Sequence, residues 1–197
     1  MKIVRLRESG GRITYLTVDQ LVRLVEEAKK DQNAQIYPFI LIASETSMRK
    51  SEVFSIRRED VDLEKRVIYI PKSKTGAREQ PITGHLAESL SGHIAALPER
   101  LPWLFPAAGA ACGHTVNIDK PFRRVVVAAG LDPKQVVRHT LRHTAITHLV
   151  QAGVDLPTVK RISGHKSLSM VERYSHQNGA HIGAAMDKLS GRYRKAA

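Results

Sequence analysis

Hydrophobic residues recur at helical spacing in the first part of the chain. Thr17 begins a capping-box pattern, and apolar residues follow it every three or four positions, which predicts a helix over 18–30. The apolar run 36–44 has Pro38 near its start, where a first helical turn tolerates proline. We interpret this run as a buried helix, although its periodicity alone leaves a strand open. A third helix is expected over 48–56.

The pattern then changes to that of a small sheet. Residues 67–70 are β-branched or aromatic, 73–76 are typical of a turn, and 79–82 resume an extended pattern. These features predict a β-hairpin with Lys74 at its tip. A third short strand is expected over 61–63.

The chain after Gly84 has the periodicity of helices. Apolar stripes and helix-ending glycines predict helices over 86–97, 122–129, 141–152 and 155–162. A last apolar stripe is formed by Ile182, Ala185, Met186 and Leu189. The predicted fold class is therefore mainly α with a small antiparallel β-sheet (α+β).

The charge balance of the chain points to a class of partner. Its 31 Lys and Arg residues exceed its 19 Asp and Glu residues, which gives a formal net charge of +12. The cations are spread along the chain, which favours a folded basic surface over a disordered basic tail. A polyanion such as nucleic acid is the expected partner.

Cysteine usage and apolar run lengths bear on location. Cys112 is the single cysteine, so an internal disulfide is impossible and a reducing cytoplasm is expected. The basic start has no apolar stretch behind it, and the apolar run 36–43 is far shorter than a membrane span. We therefore expect a soluble intracellular protein with no membrane partner.

The nine histidines raise the hypothesis of a metal site. His139 and His143 are four residues apart, and Cys112 lies close to His114. However, neither a His-Glu-x-x-His motif nor a second cysteine completes a site. We expect no metal and no cofactor.

Two pairs of polar residues carry candidate chemistry. Arg49 and Glu52 are three apart on a predicted helix, so the carboxylate can orient the guanidinium; an exposed ion pair is the alternative. His139 and Arg142 have the same spacing. A guanidinium can bind two phosphate oxygens and an imidazole can donate to another, whereas a solvated polar face is the alternative.

Two further pieces lie elsewhere in the sequence. Gly164 is predicted to end a helix and to place His165 at a backbone bend, nine residues before Tyr174. Tyr174 could equally be a packed core residue. Lys74 is the fourth piece, although an exposed lysine at a hairpin tip often has no role.

Together these pieces resemble the catalytic domain of the tyrosine recombinase (phage integrase) family. The match runs from about Leu16 to Tyr174 through Thr-Ser-Met-Arg-x-x-Glu, a hairpin with Ser-Lys-Thr-Gly, His-x-x-Arg, Gly-His and Tyr. Five short motifs in the right order and spacing are far more specific than any one of them. Ser47 departs from the family's usual glycine, and Ser163 stands where a leucine usually precedes the glycine. We expect both departures to affect backbone detail only.

The resemblance implies a role for each residue. Arg49 and Arg142 would bind the DNA phosphate, with Glu52 supporting Arg49. Tyr174 would attack that phosphate to give a 3′-phosphotyrosyl enzyme and a free 5′-hydroxyl. A free phenol is only about 0.1% ionised at neutral pH, and we expect the surrounding cations to favour its phenolate.

The same resemblance assigns the remaining proton transfers and phosphate contacts. Lys74 would give a proton to the leaving 5′ oxygen, His139 would assist proton handling, and His165 would bind the phosphate. No metal is required. The implied function is site-specific recombination of double-stranded DNA. A type IB topoisomerase-like relaxation of strands and a non-catalytic DNA-binding regulator are the alternatives.

The resemblance also predicts domain organisation and assembly. Residues 1–15 are expected to be a lead-in or linker, 16–178 the catalytic domain, and 179–197 a C-terminal helix and tail. The N-terminal DNA-binding domain usual in the family is expected to be absent from this chain. A homo-oligomer, a tetramer on nucleoid DNA, is expected through the C-terminal helix, which would dock on a neighbouring protomer or, alternatively, on its own domain.

Overall fold

The computed structural model describes residues 13–73 and 76–175, together with positions 183, 186, 187 and 190. The helices are α1 (Val18–Lys30), α2 (Ile36–Thr46), α3 (Lys50–Phe54), α4 (Gly84–Ala96), α5 (Asp119–Ala128), α6 (Arg138–Gln151), α7 (Leu156–Ser163) and α8 (Ser169–Glu172). The strands are β1 (Val61–Asp62), β2 (Val67–Ile70) and β3 (Arg78–Pro81), with a 3₁₀ turn over Arg58–Asp60. The predicted α+β fold class is confirmed.

Most predicted elements are present, and their ends have the expected caps. Thr17 and Gln20 form the capping box of α1, with Thr17 N donating to Gln20 Oε1 at 2.9 Å. Asp155 accepts from Thr158 N at 2.9 Å and caps α7. The apolar run after Gln35 is helical, which excludes the strand alternative.

Helix α2 is the centre of the main core. Nine of its residues are buried, and it packs against α1, α4 and α6. The sheet has the order β1-β2-β3, all antiparallel, and its hairpin pairs Ile68 with Gln80. A second, smaller core joins α6, α7 and α8 with the residues just after it, and it contains Ile146, Val159, Val171 and Tyr174.

No helix in the part of the chain that the structure describes combines the length and apolar character needed to cross a membrane.

The helix predicted over 48–56 is wrong in its extent. Helix α3 spans only Lys50–Phe54, because Ser47 ends α2 in the left-handed conformation with φ 56° and ψ 18°. A residue with a Cβ is strained there by about 1–2 kcal/mol. The Ser47 side chain is buried, and its hydroxyl oxygen has no hydrogen-bond partner among the described residues. Ser47 therefore combines backbone strain with an unsatisfied polar atom.

We predict that Ser47→Gly stabilises the protein. Glycine removes the left-handed strain and the buried hydroxyl, although it has more conformational entropy in the unfolded chain than serine. The two gains outweigh this entropy, so the free energy of unfolding should rise by about 1 kcal/mol. Chemical denaturation measures the change. Ser47→Ala is the matched control, because it removes the hydroxyl and keeps the strain, so it should gain less. A less stable glycine variant would contradict the prediction.

Candidate active site

Five of the six predicted catalytic residues lie close together in one connected cluster. Arg49 precedes α3, His139 and Arg142 lie on α6, His165 follows α7, and Tyr174 follows α8. The sixth residue, Lys74, lies outside the described residues.

The Glu52 carboxylate joins two guanidinium groups. Its Oε1 accepts from Arg49 Nη1 at 3.0 Å and from Arg78 Nη1 at 3.2 Å. Its Oε2 accepts from Arg78 Nη2 at 3.0 Å and from the Arg49 backbone amide at 3.0 Å. Glu52 is 5% exposed, which excludes the interpretation of its pair with Arg49 as an exposed surface ion pair.

The charges around Glu52 hold it ionised. Burial by itself raises the pKa of this carboxyl, but the hydrogen bonds from Arg78 and the Arg49 amide and the two positive charges outweigh burial. The pKa of Glu52 therefore lies below the ordinary value of 4.5. The carboxylate is fully charged at neutral pH and fixes both arginines.

Gly164 connects this arginine pair to the end of α7. Its carbonyl oxygen accepts from Arg49 Nη2 at 3.1 Å. Its φ is +62°, and a Cβ at this position would lie 3.0 Å from Arg78 Cζ. A side chain here would be strained and would also push against the Arg78 guanidinium, so this position favours glycine. The turn that carries His165 is thereby held against the arginine pair.

Arg142 is buried, and no carboxylate among the described residues is bonded to it. Its Nη1 donates to the Ser47 carbonyl oxygen, and its Nη2 lies 3.2 Å from His165 Nε2. Burial and the charge of Arg49 lower the pKa of Arg142 to about 10, so the guanidinium still carries its charge at neutral pH. At 4% exposed, Arg142 does not belong to a solvated polar face.

The hydrogen bonds of Ser163 fix the tautomer of His165. The Ser163 hydroxyl donates to the Val159 carbonyl at 2.7 Å, so it accepts from His165 Nδ1–H at 2.7 Å. The lone pair of Nε2 then faces Arg142. Burial and the charge of Arg142 lower the pKa of His165 to about 4, so the ring is neutral. The expectation that Ser163 affects only backbone detail is wrong.

Tyr174 is 2% exposed and belongs to the smaller core. Its hydroxyl lies 2.6 Å from His143 Nδ1, and its ring centroid is 6.5 Å from that of His165. The Arg173 guanidinium lies 5.9 Å from the Tyr174 ring centroid. Burial nevertheless raises the pKa of Tyr174 above 10, against the opposing charges of Arg173 and Arg142. The surrounding cations favour the phenolate, as expected, but burial outweighs them in the DNA-free protein, so the phenol stays neutral.

His139 completes the cluster through its neighbour. Its ring stands perpendicular to that of His143, with the centroids 4.6 Å apart. Burial and the charge of Arg142 lower the pKa of His139 below 6.5.

Sequence reasoning missed three residues that shape this site: Arg78, His143 and Ser163. His143 attracted notice only as a metal-ligand candidate at i+4 from His139. Within the described part of the chain, no group of three or more His, Cys, Asp or Glu side chains is placed to hold a metal ion.

Two surface depressions adjoin the arginine pair. One has a volume of about 620 Å³, borders Arg49, and includes Arg57 and Lys72 in its lining. The other has a volume of about 480 Å³, borders Arg78 and His165, and includes Lys160 and Arg161. A polyanion lying across both depressions would bring its backbone past the clustered side chains.

We predict that Glu52→Gln destabilises the protein by about 3 kcal/mol, because it leaves two partly buried guanidinium groups without their counter-charge. Since folding lowers the pKa of Glu52, the stability it contributes is present above 4.5 and is lost as pH falls through the folded value. The difference between wild type and variant should therefore shrink in acid. Chemical denaturation at several pH values measures it.

Glu59→Gln is the matched control for that experiment. Glu59 pairs with Arg57 at 3.0 Å on the surface, where its side chain is exposed. Its loss should cost less than about 1 kcal/mol. Equal effects of the two substitutions would show that Glu52 does not organise the site.

The chain is similar in sequence and fold to known proteins. A putative integrase of Pseudomonas phage Pf1 is 30% identical over 186 residues, which cover 94% of this chain and 51% of that protein. The crystal structure of XerH site-specific recombinase bound to difH substrate, a pre-cleavage complex, superposes with a TM-score of 0.70 and 26% identity, over 82% of this chain and 50% of that one. The chain thus spans about half the length of these relatives.

A solved catalytic domain matches over almost its whole length. The catalytic domain of bacteriophage HP1 integrase superposes with a TM-score of 0.68 and 23% identity, over 89% of this chain and 95% of that one, and this likeness concerns the fold alone. The model of the phage integrase family matches residues 14–181. The chain therefore belongs to the phage integrase family.

Proposed function

We propose that this chain is the catalytic domain of a site-specific DNA recombinase that cleaves and rejoins DNA through a 3′-phosphotyrosyl intermediate. The observation that carries the proposal is the contact network that brings Tyr174, Arg142, His165 and Arg49 together. Simple DNA binding needs no buried phenol beside imidazoles and guanidiniums. Such a set suits nucleophilic attack on a phosphodiester.

The phosphate is held by the two arginines and His165. Arg49 is presented by Glu52, and Arg142 is presented by the Ser47 carbonyl, so neither guanidinium has to be ordered when DNA arrives. A phosphate oxygen replaces His165 Nε2 as the partner of Arg142 Nη2. The negative charge of the phosphate favours protonation of His165, which then donates to it.

Double-stranded DNA is the proposed partner. The net charge of +12 and the cations that line the two depressions supply attraction to a phosphate backbone. The similar XerH recombinase was solved bound to its difH substrate, and the basic depressions of this chain border Arg49 and Arg78. The proposed location is the cytoplasm, which the DNA partner and the presence of a single cysteine support.

The proposed domain is residues 16–178, followed by a C-terminal segment that docks on a second copy of the chain in a DNA-bound tetramer. Of the stripe Ile182, Ala185, Met186 and Leu189, only Met186 lies within the described residues, and it is 60% exposed. An exposed methionine in an apolar stripe supports a partner surface. Residues 1–15 are the proposed lead-in.

We predict that Tyr174→Phe abolishes covalent attachment to DNA and leaves DNA affinity almost unchanged, because only the attacking oxygen is removed. A pool of random-sequence duplexes with nicks at random positions serves as the probe, because some members then carry the nick just beyond a cleavage site, and denaturing gels detect the adduct. Tyr69→Phe is the control, since Tyr69 is exposed on β2. An adduct formed by the Tyr174→Phe protein would overturn the proposal. Joining of the captured strand to a second duplex separates recombination from strand relaxation.

We predict that Lys74→Ala slows cleavage of normal DNA, because the leaving 5′ oxygen then lacks its proton donor. In a substrate with sulfur in place of the bridging 5′ oxygen, the 5′ sulfur leaves as a thiolate and needs no proton. Cleavage of that substrate by the Lys74→Ala protein should therefore largely recover. Lys65→Ala, in the turn between β1 and β2, is the control, because Lys65 is exposed and lies outside both depressions, and it should cleave both substrates well. If the sulfur substrate is cleaved as poorly as normal DNA, Lys74 acts only in binding.

A further inference from the structure

The proposed function leaves one proton without an acceptor. When the Tyr174 oxygen bonds to phosphorus, its hydrogen must leave, and burial of the phenol separates it from bulk water. The resemblance to the family gives the departing 5′ oxygen a donor, Lys74, and gives His139 a share in proton handling, but it names no acceptor for the phenolic hydrogen. The structure supplies a contact that motif matching did not.

We propose that His143 is a catalytic residue that accepts the proton of Tyr174 at its Nδ1 atom. Nδ1 lies 2.6 Å from the Tyr174 hydroxyl, within the distance required of a general base. This inference rests on the proposed function of the chain.

Charge states support the direction of this hydrogen bond. The pKa of Tyr174 is raised and that of His143 is lowered to about 4 by burial and by the charge of neighbouring groups, so a neutral phenol meets a neutral imidazole. The phenol can then donate to the Nδ1 lone pair, with the ring proton on Nε2. The His139 ring contacts the His143 ring, and His143 bonds the Tyr174 hydroxyl. Among the described contacts, His139 is therefore connected to the phenol through His143.

The groups that face His143 explain why the proton transfer depends on DNA. His139 and Arg142 face it from α6, His165 from the end of α7, and Arg173 and Tyr174 from the end of α8. The positive charges among them disfavour an imidazolium in the DNA-free protein. A bound phosphate carries negative charge into this group and lowers the free energy of the protonated ring.

In the complete step, each bond that forms is matched by one that breaks. The Tyr174 oxygen forms a bond to phosphorus as its proton passes to His143 Nδ1. The bond from phosphorus to the 5′ oxygen breaks, its electron pair stays on that oxygen, and Lys74 supplies the proton. Rejoining reverses both transfers, so His143 returns its proton to Tyr174 as the phenol leaves.

His143→Asn tests the proposal, because the asparagine oxygen retains a hydrogen-bond acceptor near the Nδ1 position and cannot take a proton. Adduct formation on the nicked random-sequence duplexes should slow by about 100-fold in single turnover, the usual contribution of a general base. DNA affinity should be unchanged. His148→Asn, on the same helix but bonded to the Leu16 carbonyl, is the control and should cleave at the wild-type rate.

A second measurement separates proton transfer from positioning. A fluorinated tyrosine at position 174 has a more acidic phenol and needs less help from a base, so the loss caused by His143→Asn should shrink in that protein. An equal loss with both tyrosines, or a variant that cleaves nearly as fast as wild type, would overturn the proposal. If His143→Asn fails to fold, His143→Gln enters the same assays. Wild type that forms no adduct would instead refute the proposed function.

Discussion

The ion pairs of Glu52 with Arg49 and Arg78 are the interaction on which the site depends. Among the described residues, Glu52 is the only carboxylate bonded to either guanidinium. It is buried, so its attraction is screened less than that of a surface pair. Through Arg49 and Arg78 it also holds Gly164, and Gly164 fixes the bend that presents His165. One acidic side chain thus places residues from three separate parts of the sequence.

The rest of the cluster carries more positive charge than Glu52 offsets. Arg142 is buried against a carbonyl and an imidazole, and its pKa falls to about 10. The pKa values of His143 and His165 fall to about 4, so these rings add no further charge. Tyr174 remains a neutral phenol. The DNA-free site is therefore held in an unreactive protonation state, and an incoming phosphate supplies the missing negative charge. Binding and activation are consequences of the same electrostatic imbalance.

Sequence reasoning succeeded where the information is local. The helix caps at Thr17 and Asp155 depend on residues three positions apart, and both were predicted correctly. The order of the motifs assigned Arg142 and Tyr174 to one site, although no local sequence rule places them in the same cluster. Arg78 was not predicted as a site residue, because its partner Glu52 lies 26 residues earlier in the sequence, before the hairpin. That contact depends on tertiary packing, which periodicity does not describe.

His143 and Ser163 were missed for a different reason. His143 stands 31 residues from Tyr174, and a histidine beside a motif has no signature of its own. Ser163 was noticed only as a departure from the family pattern. The Ser163 hydroxyl donates its hydrogen to the Val159 carbonyl, so it can only accept a hydrogen bond from His165. The hydrogen of the His165 ring therefore lies on Nδ1. Both roles depend on hydrogen bonds of the folded chain, which the sequence does not show.

The burial of Tyr174 places a final constraint on the reaction. A nucleophile that is 2% exposed cannot meet a phosphorus atom of DNA in its present position, since the attacking oxygen must come within bonding distance. The segment that carries it is held by little apolar contact: α8 is four residues long, and Val171 is its one buried side chain. Displacement of so short a helix costs far less than opening of the α2 core. A small displacement of this segment can therefore open a path for the phosphate to the Tyr174 oxygen, while the phenol stays within hydrogen-bond distance of His143 and Glu52 keeps its arginines in place.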